Sequence, residues 1–274
     1  MKLLVWDTSS KSGTIAALEW DPTQCRSFED VRLVAEMTLN VESTHSERLL
    51  WAIHQILESA RWKLADVDTF AVGIGPGSFT GLRIGVTTAR TLSVTMKKPL
   101  VGVSSLAALA RPLAMNLAQH ASSENSLIVA VTDACKGELF ALWGEAHAVR
   151  NCVIPSQLWH ASVEEQVIEP ARLMKAIEDQ LQNSQKKAQW YVVGEGRNRY
   201  GDEWARLNLV QSVSSTPVFS DHVQGRYLGV LAWEAVQSGL GQGGLQIHPR
   251  YLRASDAELK LKAGLLAPSP VQGS

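Results

Sequence analysis

A two-lobed α/β fold with related halves is what this sequence predicts, and three observations predict it. A strand, an aspartate, a polar turn with a glycine and a second strand occur twice along the chain. In the first half these are Leu3–Trp6, Asp7 to Gly13 and Thr14–Leu18; in the second, Leu127–Val131, a turn carrying Asp133 and Gly137, and Glu138–Trp143. The strand candidates are continuous apolar runs rather than alternating ones, the pattern of strands covered on both faces. Between the two units, Thr69–Ile74 reads as a buried strand that passes through the glycine-rich Gly75–Gly81 into a helix.

Each element has its own local signal. Thr44-His45-Ser46-Glu47 has the capping-box pattern, in which a hydroxyl and a carboxylate satisfy backbone donors at a helix start. Leu49, Leu50, Ile53, Ile56, Leu57 and Ala60 follow at helical spacing, with Trp51 and Trp62 adding aromatic bulk. Leu82–Met96 reads as a helix of small and β-branched residues suited to tight packing on a sheet. Ser104–Leu117 is helical and Gln119–Ser126 a polar connector. Asn151 to Lys187 mixes helix signal with polar residues and is expected to be a peripheral insertion. Trp190–Val193 is a short strand ending in Gly194-Glu195-Gly196, and Tyr227–Ser238 a helix closed by Gly239–Gly244. The expected organisation is a first lobe over residues 1–104, joined by the helix near 222–240. A second lobe takes 105–221 and 245–262, and a disordered tail takes 263–274.

Composition narrows the function. The 274 residues are 45% hydrophobic, and 26 basic residues balance 27 acidic ones. Proteins that hold tRNA alone carry a basic face, because phosphate neutralisation supplies most of that affinity. Any link to RNA is therefore expected to run through another protein. Cys25, Cys135 and Cys152 are scattered and form no Cys-x-x-Cys pair, which fits a reduced, cytoplasmic setting. The apolar run after Met1 is too short for a signal peptide or a membrane span.

The sharpest motif is Gly75-Pro76-Gly77-Ser78-Phe79-Thr80-Gly81 between a strand and a helix. Glycines there permit close backbone approach, and a helix N-terminus offers N–H groups to an anion. The loop lacks the lysine of a Walker A sequence, and its glycines are too widely spaced for the dinucleotide fingerprint. A phosphate contact through Gly75, Gly77, Ser78, Thr80 and Gly81 and a purely structural turn both stay open. Asp7 is equally two-sided: it could orient a nucleotide-bound metal or water, or cap the turn through Thr8 to Ser10. His45 and His54 fall on opposite sides of their helix at about 100° per residue. No His-x-x-x-His or His-Glu-x-x-His occurs, so no metal site is expected. No Gly-x-Ser-x-Gly elbow supports a serine nucleophile.

Several blocks together resemble the bacterial TsaB (YeaZ) family. They are Leu3–Ser9, Thr44–Leu50, Gly73–Gly85, Gly102–Leu106 and Pro249–Arg253 with Asp256-Ala257-Glu258. The likeness runs from the start to about Glu258 and is weak between Asn151 and Lys187. It implies an actin-like, sugar-kinase-like fold of the ASKHA superfamily, related to M22 peptidases. It also implies a non-catalytic partner of TsaD, the metal-carrying paralogue that transfers threonylcarbamoyl to adenosine 37 of tRNA. TsaE, a small ATPase, joins the same assembly. TsaD holds its metal through a His-x-x-x-His helix that this chain lacks. The expected partner surface is the first long helix and its neighbour after Gly81: His45, Arg48, Leu49, Leu50, Trp51, Ile53, Ile56, Leu57 and Arg83. The same surface is expected to form homodimers when TsaD is absent. No catalytic residue, metal or cofactor of its own is expected, with ATP or ADP placed at the joint with TsaD. The rival expectations are a stand-alone small-molecule kinase of the same superfold and a cryptic peptidase.

Overall fold

The computed structural model describes residues 1–40, 45–118, 126–154, 157, 159–183, 189–200, 221–241, 243–254 and 260–261. Two sheets organise the chain. The first has the order β3-β2-β1-β4-β5, from β1 (Lys2–Asp7), β2 (Ser12–Glu19), β3 (Arg32–Asn40), β4 (Thr69–Gly73) and β5 (Leu100–Val103). The second has the order β8-β7-β6-β9, from β6 (Ser126–Asp133), β7 (Leu139–Glu145), β8 (Glu164–Ile168) and β9 (Gln189–Val193). In each, three antiparallel strands form a meander and the first of them also pairs in parallel with a later strand, β1 with β4 and β6 with β9. The duplicated two-lobed α/β architecture is thus the one the repeat predicted.

Both faces of the first sheet are covered, which explains its unbroken apolar strands. Leu4, Trp6, Phe70 and Val72 pack with α1 (His45–Ala60) and α2 (Phe79–Met96). Leu3, Val5, Ala71 and Val101 point the other way, into a core shared with α3 (Ser105–Ala118) and α7 (Gly225–Gln237). Leu3, Leu4, Val5 and Trp6 are all fully buried, each contributing about 1.5–3 kcal/mol. Trp6 also donates its indole N–H to the Gly85 carbonyl at 3.1 Å, tying β1 to α2. In the second sheet, Ile128, Ala130 and Leu142 join the shared core with α4 (Ala146–Arg150), while Leu127, Val129 and Trp190 pack on α5 (Pro170–Asn183); the short α6 (Gly196–Arg199) follows β9. Among the described residues no helix is long and apolar enough to cross a membrane.

Two features depart from the sequence expectation. No strand was expected between Leu18 and Thr44, yet β3 pairs along all of β2. It is an edge strand whose residues are exposed or half-buried, none of them fully buried, so its hydrophobic signal is diluted. The stretch from Asn151 to Lys187 is no peripheral insertion: it supplies β8, the edge of the second sheet, and α5, which covers it. The polar sequence of β8, Glu-Glu-Gln-Val-Ile, suits an exposed edge and hides the strand. Thr44, the 119–125 connector, Asp256-Ala257-Glu258 and the 263–274 tail lie outside the described residues, as do the side chains of His45, Ser46 and Glu47.

Candidate functional site

The end of β1 forms a closed network of hydrogen bonds. Asp7 is fully buried, and its Oδ1 accepts from the backbone N–H of Ser9 at 2.8 Å and from the Ser9 hydroxyl at 2.6 Å. That is the Asx turn, the structural one of the two roles open to this residue. The Ser105 hydroxyl at the head of α3 donates to Oδ2 and accepts from the Gly75 N–H at 3.1 Å. Asp7 therefore ties the β1 turn, the glycine loop and α3 together. Nothing local marks Ser105 for this; it lies 98 residues away in sequence.

The glycine loop is zipped onto the same turn. The Ser78 N–H donates to the Ser9 carbonyl at 2.6 Å, and the Thr8 hydroxyl donates to the Gly81 carbonyl at 2.7 Å. Ser78 caps α2 by accepting from the Gly81 N–H at 3.2 Å. A Cβ on Gly81 would lie 2.0 Å from the Thr8 carbonyl oxygen, so only glycine allows the approach. Gly75 holds φ at +100°, open to glycine without strain. The N–H groups of Gly75, Ser78 and Gly81 are thus turned to protein acceptors.

The second half repeats the device in weaker form. Asp133 Oδ1 accepts from the Cys135 N–H at 2.9 Å, matching Asp7 and Ser9, and Gly194 after β9 holds φ at +103°, matching Gly75. Asp133 is paired with Arg199 and is only partly buried. The two turns face a cleft of about 520 Å³ whose walls include Lys11, Ser78, Asp133, Lys136, Glu195 and Arg253. Burial, and then the neighbouring Asp133 carboxylate, push the Glu195 carboxyl above its ordinary range, while Lys11 opposes this. Carboxylates and cations are mixed on this lining.

A second surface lies on the outer side of α1 and α2. Leu50 is 61% and Trp51 53% exposed, on a helix whose opposite face is packed into the sheet. The neighbouring α2 presents Arg83 and, beyond it, the β-branched Thr87, Thr91 and Val94 to solvent. Arg83 lies over the Phe79 ring, 3.8 Å from its centroid, and donates to the Tyr251 hydroxyl at 3.2 Å.

The expected partner set divides accordingly. Arg48, Leu50, Trp51 and Arg83 are exposed. Leu49, Ile53, Ile56 and Leu57 are corrected to core residues, between 2% and 8% exposed and packed on the first sheet. Helical spacing finds the apolar stripe but cannot separate its centre, which the sheet buries, from its edge, which water meets. Leu50 and Trp51 are that edge.

Comparison with known proteins separates the family from its relatives. A family model described as TsaD, tRNA N6-adenosine threonylcarbamoyltransferase, matches residues 34–261. The tRNA threonylcarbamoyladenosine biosynthesis protein TsaB of Escherichia coli is 32% identical over 77% of this chain and 78% of its own length. The chain belongs to the TsaB family. The TsaB of Haemophilus influenzae is 29% identical over 92% of the chain and 94% of its own length. A solved structure of YeaZ from Pseudomonas aeruginosa shares the fold, with a TM-score of 0.62 at 23% identity, covering 92% of this chain and 99% of that one.

Proposed function

We propose that this chain acts in threonylcarbamoyladenosine biosynthesis as a non-catalytic scaffold or activator. Its partners in that role are TsaD and TsaE, and the product is threonylcarbamoyl-adenosine 37 of tRNA. The names of the Escherichia coli and Haemophilus influenzae relatives support the pathway. The observation that carries the subunit role is the pair Leu50 and Trp51, held in water on α1, which neighbours α2. Aromatic residues are enriched at the centres of protein contacts, and large apolar side chains grouped on one face are a mark of docking surfaces. In this reading TsaD docks on α1 and α2, and a second copy of the chain takes the same face when TsaD is absent. The near-neutral charge supports tRNA being held through the complex rather than by this chain, in the cytoplasm.

The engagement of Asp7 and of the loop N–H groups within the protein supports a scaffold over a stand-alone kinase. ATP or ADP in the assembly then sits at the joint with TsaD rather than on Gly75–Gly81. The test is size-exclusion chromatography of the purified chain with TsaD. Co-elution as one complex is expected, and separate elution across micromolar concentrations would count against the reading.

A further inference from the structure

After α7 the chain turns back and runs beside α2 from its C-terminal end to its N-terminal end. Gly244 packs against Ser93 and Arg90, near the end of α2. Ile247 is buried in the core under the first sheet. The Arg250 N–H then donates to the Ile74 carbonyl at 2.8 Å, and the Tyr251 ring stacks on Phe79 with centroids 4.6 Å apart. These contacts are all with the first half of the molecule.

The arginine side chains of the same segment reach the other half. The Arg250 guanidinium pairs with Glu165 on β8, a carboxylate whose side chain is only 1% exposed. The Ser104 hydroxyl, from the first residue after β5, donates to the other Glu165 oxygen at 2.7 Å. Arg253 donates to the Ala134 carbonyl, and its Nε lies 3.5 Å from the Glu138 carboxylate in the β6–β7 turn. Tyr251, Leu252 and Arg253 also form part of the cleft wall. Glu165 is thus a buried charge of the second half whose partners both come from elsewhere: Ser104 from the seam and Arg250 from the returning segment. A buried carboxylate is costly without its partners, so the two halves gain by staying joined here.

We propose that residues 249–254 form a strap that latches the two halves across the cleft, with the Arg250–Glu165 pair as its catch. With the catch made, the strap stays on Ile74 and Phe79 and holds the cleft at the observed width. With it broken, the strap lifts as a local unit, because the core that joins the two sheets and the outer core of each hold together without it, Leu252 being the one strap residue that packs against the shared core. This inference is independent of the partner that docks on α1 and α2.

Amide hydrogen exchange on the full chain tests it, using Glu165→Gln, Arg250→Gln and the charge-reversed pair Glu165→Arg with Arg250→Glu. Each single variant is expected to speed exchange at 249–254 and at the 133–138 turn by about tenfold or more. Amides of β1 and β6 should keep their protection. The charge-reversed pair should recover at least part of the strap's protection, which separates a latch from a simple packing defect. Unchanged strap exchange in both single variants would overturn the proposal. So would equal acceleration across β1 and β6, which would make the pair a global stability element, and so would the absence of any recovery in the reversed pair.

Discussion

Replacing Trp51 or Leu50 with glutamate is the perturbation that most directly separates a docking surface from a core stripe. Leu50 is 61% and Trp51 53% exposed, so a partner can bury little more than half of each. Against about 1.5–3 kcal/mol for complete burial of a large apolar side chain, each contact supplies about 1–2 kcal/mol. A glutamate at the same place loses that term and must also be desolvated without a partner, for about 2 kcal/mol more. The sum, about 3–4 kcal/mol per substitution, weakens the complex by about a hundredfold to a thousandfold. The free chain should hardly notice, since exposed substitutions stay within about 0.5 kcal/mol. Ile56→Ala provides the contrast: Ile56 is 2% exposed, and its truncation should cost about 2–5 kcal/mol of folding stability. Titration calorimetry against TsaD and thermal melts of all three variants give both quantities. Unchanged affinity in both glutamate variants would refute the assignment of the face. So would a loss of melting temperature at Trp51→Glu or Leu50→Glu as large as that at Ile56→Ala.

Three further outcomes follow from the turn network and the cleft. Asp7→Asn should lower stability by about 1–3 kcal/mol, because the amide cannot accept at both positions where Ser9 and Ser105 donate; urea unfolding measures it. Gly81→Ala should cost about 1–3 kcal/mol in the same assay, since its Cβ meets the Thr8 carbonyl and the loop must move off the β1 turn. Glu195 has a folded-state pKa raised above its unfolded value, chiefly by burial. The folded state therefore holds the proton more tightly, and the group's contribution to stability falls as pH rises just above the ordinary carboxylate range. Glu195→Gln should accordingly raise the melting temperature at pH 7 relative to the parent and make little difference at pH 4.

Much of the fold was legible because its strands are buried on both faces. Leu3–Trp6 and Leu127–Val131 read as strands from unbroken apolar runs, and the aspartate after each marked the repeat. β3 and β8 escaped because edge strands mix polar and apolar residues, and Glu164 and Glu165 look like solvent-facing charge in sequence. Glu165 shows the limit of such reading: its side chain is buried against Ser104 and Arg250, groups far from it along the chain. The candidate site was half legible. The glycine loop was found at its place between β4 and α2, but whether its N–H groups face a ligand or the protein depends on Ser9 and Ser105. Helical spacing likewise located the α1 stripe, while only the packing against the first sheet shows that Leu50 and Trp51 are its exposed edge and Ile53 and Ile56 its buried centre.

The central claim is that this chain serves threonylcarbamoyl transfer as a docked, non-catalytic subunit. Its most direct test measures threonylcarbamoyladenosine on tRNA in a reaction reconstituted from TsaD, TsaE, threonylcarbamoyl-adenylate and this chain. The account predicts modification with the wild-type chain, little with the folded Leu50→Glu/Trp51→Glu variant, and none when TsaD is left out. Full modification with that variant, or modification by this chain in the absence of TsaD, would contradict it.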